Sequence, residues 1–293
     1  MNSIYSHRLC YVFLIVAACL GCNKEQNVPE FGQVDYSFFV AGHTYGTPGE
    51  NNVGLYSPFR EKFRLINDEE QMVLGVLTGD IVRNSTELEW DAVDNNLAEI
   101  DVPVHFAIGN HEASNPDLFE ARYGPTYFSF SQGSDLFIVL DPNIDGWNIS
   151  GNQLVFLDSI LNLKAENSTN IFVFFHQFLW WDQENVFASV YPNSLTDRTE
   201  STNFWSTIEP RFNELKNNVF LFAGDAGAFP TGNEVFYHCY DNIRFIASGM
   251  GGGVRDNFII ADVSESGDVR FRLIALNGDD INGLGDLSDH QLP

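Results

Sequence analysis

Three positions in this chain pair a ligand-type side chain with a placing that suits a metal ion. Asp80 follows Gly79 at the end of the apolar run 73–78, and Asn110 follows Gly109 at the end of the run 102–108. His176 closes a third run, Ile171-Phe172-Val173-Phe174-Phe175. Apolar runs of this length that end at a turn are read as buried strands. Open α/β sheets place their sites at the C-terminal ends of such strands. A carboxylate, an amide and an imidazole converging there suit a divalent ion such as Mn, Fe or Zn. A single Gly-Asp or Gly-Asn pair is usually no more than a strand-ending turn. Three ligand-bearing strand ends in order, one of them inside the tetrapeptide Gly109-Asn110-His111-Glu112, favour a site.

The elements that must position these residues follow from periodicity. Strands are predicted over 36–41, 73–77, 104–108, 127–130, 136–140, 171–175 and 219–223, with three or four more within 235–271. Helices are predicted over 56–65, 86–100, 115–123, 150–163 and 204–215. In the second, Leu88, Trp90, Val93 and Leu97 share a side, and in the third Asn115 stands as cap before Pro116. The stretch 177–204 is long, irregular and rich in Trp, Asn and Ser, which marks a functional or mobile loop. After Asn277 come Asp279, Asp280, Asp286 and Asp289 with no Lys or Arg, a tail expected to fray. Strand–helix alternation followed by a run of strands predicts an α/β fold, a layered sandwich of mixed β-sheets flanked by helices.

The chain has 293 residues, 26 of them Phe, enough for one large domain, and no internal repeat divides it. Its net charge of −25 opposes binding to the nucleic-acid backbone or to anionic membranes. Arg8 precedes the apolar segment 10–20, which reads as an export signal too short for a comfortable membrane span. Leu20-Gly21-Cys22 looks like the lipobox of a bacterial lipoprotein; Val16-Ala17-Ala18-Cys19 fits the pattern too. Cys22 is preferred because the polar chain starts directly after it. The expected organisation is a lipoprotein-type signal over 1–21, a polar tether over 22–33, a domain over 34–276 and an acidic tail over 277–293. A lipid on Cys22 would tether the exported protein to a bacterial membrane, at the cell surface or in the periplasm, without a spanning helix. Outside the leader only Cys239 remains, so the mature chain has no internal disulfide framework. Neither a Gly-x-Ser-x-Gly element nor a Walker-type lysine loop is present.

The order of motifs resembles the calcineurin-like metallophosphoesterase family, whose pattern is Asp-x-His, Gly-Asp, Gly-Asn-His-Asp/Glu, a lone His and Gly-His-x-His. The resemblance covers 35–272. Leu140-Asp141, the helix start Ser150-Gly151-Asn152-Gln153 and the late Ser248-Gly249-Met250-Gly251-Gly252-Gly253 echo it further. It implies metal-dependent hydrolysis of a phosphate ester, with Asp80 bridging two ions and Asn110 and His176 on the second. His111 would protonate the leaving oxygen or steady the phosphate. Two motifs depart from the pattern. The first reads Ala41-Gly42-His43, and the last reads Gly224-Asp225-Ala226-Gly227. The first ion would keep only His43 and Asp80, fewer than the three protein ligands of a catalytic site. The second keeps Asp80, Asn110 and His176 and gains an oxygen from Asp225. One ion of harder character (Mn, Fe or Mg) is therefore expected rather than two.

A lost ion removes the clamp on one oxygen, and Arg83 or Arg255 could replace its charge, with a surface salt bridge as the duller alternative. Trp181, just after His176, could wall a sugar or base ring. The rival function is an inactive member of the fold that binds a glycan or nucleotide in the old cleft.

Overall fold

The computed structural model describes residues 31–229 and 234–292. The leader, with Cys22, and most of the tether lie outside the described residues. In the first strand, β1 (Val34–Ala41), alternate side chains point to opposite faces and both faces are apolar. Phe38 and Val40 go one way, Phe39 and Ala41 the other, so both sides of the strand must be covered.

The chain continues through α1 (Ser57–Arg60), α2 (Phe63–Asn67), β2 (Met72–Thr78), α3 (Glu87–Leu97), β3 (Val104–Ala107), α4 (Pro116–Tyr123), β4 (Phe128–Gln132) and β5 (Asp135–Val139). Then come α5 (Gly151–Lys164), β6 (Asn170–Phe175), α6 (Glu209–Asn213), β7 (Asn218–Ala223) and the strands β8 (Val235–Tyr240), β9 (Ile243–Ser248), β10 (Asn257–Ser264) and β11 (Val269–Ala275). One sheet has the order β11-β10-β1-β2-β3, the other β4-β5-β6-β7-β9-β8. β1, β2 and β3 are parallel, as are β5, β6, β7 and β9. The remaining four strands pair antiparallel.

The sheets pack face to face on phenylalanines. Phe38 meets Phe172 edge-on at 4.9 Å and Phe137 at 5.2 Å, while Phe174 stacks on Phe222 at 5.1 Å. Each such ring contributes roughly 2–3 kcal/mol by leaving water. The outer face of the first sheet packs on Phe59, Phe63, Trp90 and Phe119 from α1 to α4. The outer face of the second is covered by Leu157 and Leu161 of α5 and by Phe178, Trp180 and Phe187. The predicted sandwich of mixed sheets between helical layers is the observed architecture.

Three segments differ from expectation. The helix expected over 56–65 is split into α1 and α2 at Lys62 (φ −93°, ψ −2°). Phe59 and Phe63 nonetheless pack on each other edge-to-face at 5.3 Å. The helix expected over 204–215 begins as a π-turn, Phe204–Ile208, and becomes α6 only at Glu209. Pro210 there lacks an N–H, which removes one donor from the ladder. The tail, in turn, is docked rather than frayed. Leu287 is buried in the inter-sheet core, and the Leu292 amide donates to the Tyr237 carbonyl at 3.1 Å. Its acidic residues are interspersed with leucines that find the core, and Asp286 and Asp289 form a capping box around the turn Leu287–His290.

Candidate metal centre

β2 ends on a pair of left-handed residues, Gly79 (φ 82°) and Asp80 (φ 51°). A β-carbon at position 79 would lie 2.6 Å from the His176 ring, so glycine there is what lets β2 and β6 end side by side. Gly224, just after β7, has the same role, since a β-carbon would sit 2.0 Å from the Thr78 carbonyl oxygen. These close approaches bring Asp80, His176 and Asp225 together. One ligand atom from each lies within 4.8 Å of the others, and all three residues are buried.

The ring of His176 is oriented by the protein. Its Nδ1 donates to the Thr78 carbonyl at 2.9 Å, so Nε2 is the atom turned to the cluster. Nε2 lies 3.2 Å from Asp80 Oδ1 and 3.6 Å from Asp225 Oδ1. Among the described residues, neither it nor either oxygen of Asp225 has a well-aligned hydrogen-bond partner. Buried polar atoms are rarely left so, because each costs free energy. A divalent cation would satisfy all three at once, and the donor set fits it.

The electrostatics agree. Burial pushes the Asp225 carboxyl up to about 7, and Asp80 adds to the rise. Burial would also raise Asp80, but His176, His111 and His43 hold it below the usual carboxylate range. Burial opposes charge on His176, yet Asp80 and Asp225 lift it to about 10. Without a cation, protons carry the positive charge that this cluster attracts.

Two more imidazoles border it. His43 donates from Nδ1 to the Met250 carbonyl at 2.7 Å, leaving Nε2 3.7 Å from Asp80 Oδ2. Burial lowers its pKa to about 4, so the ring is neutral. His111 donates from Nδ1 to the Arg83 carbonyl at 2.6 Å, and its Nε2 lies 3.9 Å from Asp80 Oδ2. Asn110, half-buried, is on the same loop, where the His111 amide points to Asp80 Oδ1 at 3.4 Å.

The residues expected to contact substrate fare differently. Arg83 stays beside the centre through its carbonyl, while its guanidinium donates to the Glu50 carbonyl. Arg255 instead reaches His290 of the tail at 2.7 Å, because the docked C-terminal turn supplies it an acceptor. Trp181 is not an open wall. It is 3% exposed, with Tyr191 edge-on at 5.1 Å and the Arg198 guanidinium over its ring at 5.3 Å.

Two residues escaped the sequence reading. Glu112 accepts the amides of Asp80, Ile81, Val82 and Gly109 at 2.8–3.0 Å, lashing the loop after β2 to the loop after β3. Tyr45 sits between His43 and His111, its ring tilted against theirs with centres 4.3 Å and 4.8 Å away. Glu112 was visible as part of its tetrapeptide, but the partners that define its role lie in another loop. Tyr45 had only its closeness to His43 as a signal.

The comparisons agree with this geometry. The profile of the calcineurin-like phosphoesterases matches residues 38–207, and the chain belongs to that family. No curated protein sequence matches it. Among solved structures, it is similar to a purple acid phosphatase from yellow lupin (Lupinus luteus) seeds, with a TM-score of 0.58 and 14% identity, over 90% of this chain and 54% of that one. A putative 5′-nucleotidase from Staphylococcus aureus, solved with alpha-ketoglutarate, gives a TM-score of 0.46 and 11% identity, over 84% of this chain and 55% of that one. The chain thus spans about half the length of both structures.

Proposed function

We propose that this protein hydrolyses a phosphate ester of a small molecule with a single divalent ion, Mn, Fe, Zn or Mg. Asp80, His176 and Asp225 would hold it, with Asn110 as a fourth ligand. The supporting observation is the buried trio whose ligand atoms, Nε2 of His176 and both oxygens of Asp225, are left unsatisfied. When bound, such an ion lowers the pKa of a water and polarises a phosphoryl oxygen. The chain's own residues do the rest. The Thr78 carbonyl fixes which nitrogen His176 presents. Glu112 holds the Asp80 backbone in its left-handed conformation.

His111 is the proton donor to the leaving oxygen. Its Nδ1 is anchored on a carbonyl, its Nε2 faces the cluster, and its side chain is 30% exposed, enough to exchange protons with solvent. Among the described residues that match the family motifs, His43 and Asp80 are what remain for another ion, because neither the methyl of Ala41 nor Gly227 carries a ligand atom.

Protein purified without chelator should contain about one metal per chain, two ligands being too few for a second ion. It should turn over an aryl phosphate with added Mn or Fe, and Asp80→Ala should abolish that activity. Turnover no higher than in the Asp80→Ala control would favour the second reading, an inactive member of the fold that binds a glycan or nucleotide. The two displaced family ligands are what support that reading. We further infer export and lipid attachment at Cys22, on the strength of the leader pattern. Among the described residues no helix is long and apolar enough to cross a membrane. Cys22→Ser should then move the protein from the detergent phase to the aqueous phase; unchanged partitioning would refute the anchor.

A further inference from the structure

Far from the metal cluster in composition, a cleft of about 530 Å³ opens on the outer side of the second sheet, lined by Asp182, Glu184, Phe187, Trp205, His238 and Tyr240 among others. It shares no residue with the centre described above. Phe187, 1% exposed, is its floor, with the His238 ring 5.2 Å away and the Trp205 ring 6.1 Å away. Trp205 and Tyr240 stand nearly at right angles, 76° between planes and 5.7 Å between centres. Tyr240 is 39% exposed, so this aromatic corner is open to a ligand.

The polar groups of the cleft narrow the choice of ligand. Its side-chain donors are largely spent inside the protein. Asn185 donates to the Trp180 carbonyl at 2.8 Å while its oxygen accepts the Phe187 amide at 2.9 Å. The Trp205 indole N–H donates to the same Trp180 carbonyl at 2.9 Å. Burial lowers the pKa of His238, and among the described residues no Lys or Arg lines the cleft. What remains are two carboxylates and aromatic faces. Arg198, stacked over Trp147 and Trp181, approaches Asp182 at 3.8 Å and offsets part of its charge. Glu184 supplies the rest.

A neutral sugar needs donors as well as acceptors, and apart from the Tyr240 hydroxyl the side chains here offer it few. An organic ammonium group needs only acceptors and ring faces, and it is attracted by aromatic quadrupoles and carboxylates together. The net charge of −25 draws cations to the surface in general. We propose that this cleft binds an organic ammonium group, quaternary or primary, against the open side of the Trp205–Tyr240 corner and beside the Glu184 carboxylate. The site is independent of the phosphoesterase centre.

Titration of the full chain with choline, butylammonium and cellobiose, followed by tryptophan fluorescence and calorimetry, tests this. One or both cations should saturate; choline alone would assign a quaternary head group, butylammonium alone a primary amine. Glu184→Gln and Tyr240→Ala should each weaken binding about threefold to tenfold, and Asp80→Ala should leave it unchanged. Trp205 is part of the packing and its variant can fail to fold, so the exposed Glu184 and Tyr240 carry the test. The proposal is overturned if neither cation saturates, if cellobiose binds as tightly as the better cation, or if both variants bind normally. Loss of cation binding in Asp80→Ala would also overturn it, by placing the ligand at the metal centre.

Discussion

Glu112 does with one side chain what the site needs from two loops. Its carboxylate satisfies four buried amides, three of them at the positions that carry Asp80 and its neighbours. In Glu112→Gln one oxygen becomes an NH2 group, which would face donors instead of accepting from them. The expected loss is about 2–4 kcal/mol, from two unpaired buried amides. Urea denaturation measures it directly, and a variant within 0.5 kcal/mol (roughly the scatter of surface substitutions) would mean that the brace is dispensable. At this scale the sequence was informative about identity and poor about environment. Asp80, His176 and Asp225 could be singled out because ligand chemistry is written in side-chain types. That Arg255 turns to His290, or that Trp181 is covered, depends on contacts between segments far apart in the chain. The same holds for position 227, where the resemblance places a histidine. Gly227 has φ 84°, and a β-carbon there would sit 2.7 Å from the Met250 nitrogen. Histidine cannot be restored at that position by substitution alone.

Elements were legible in proportion to how much of their pattern is local. Every strand that ends at the cluster was visible as an apolar run, because a strand buried on both faces has little else in it. The start of α3 was visible too, with Thr86 accepting the Glu89 amide as its cap. The break between α1 and α2 was not, since nothing in 56–65 forbids a continuous helix. The tail shows the opposite failure. Charge density suggested fraying, whereas Leu287 at 2% exposure packs between the sheets. Leu287→Ala should therefore destabilise the protein by about 2–4 kcal/mol, the range for large-to-small changes in a core. A frayed tail would give a change near zero, and a thermal melt distinguishes the two.

For the whole molecule, the dominant fact is a net charge of −25 with a pI near 4.3, and it acts together with a few buried carboxylates. Burial pushes the Asp256 carboxyl up to about 6, against the relief given by the amides of Gly251, Gly252 and Gly253. A group whose folded pKa lies above its unfolded value of about 3.9 contributes stability that is full below 3.9 and lost as pH rises through the folded pKa. Asp256 thus makes the fold weaker at pH 8 than at pH 5, by on the order of 1–1.5 kcal/mol, since part of its contribution is already lost at pH 5. Self-repulsion of the surface acts in the same direction. Salt separates the two, because about 0.5 M screens surface charges and leaves a buried group nearly untouched.

Asp262 sets the lower limit. Burial opposes its ionisation, but Arg272, Arg270 and Ser37 hold its pKa below the ordinary range, so its contribution is present above about 3.9 and lost as pH falls through the folded value. Denaturation midpoints in chelator at pH 8, 5 and 3 should therefore peak near pH 5. High salt should shrink the difference between pH 8 and pH 5 without abolishing it. Asp256→Asn should remove about 1–1.5 kcal/mol of the difference that survives in high salt, and a difference unchanged by that substitution would show that ionised Asp256 costs the fold nothing.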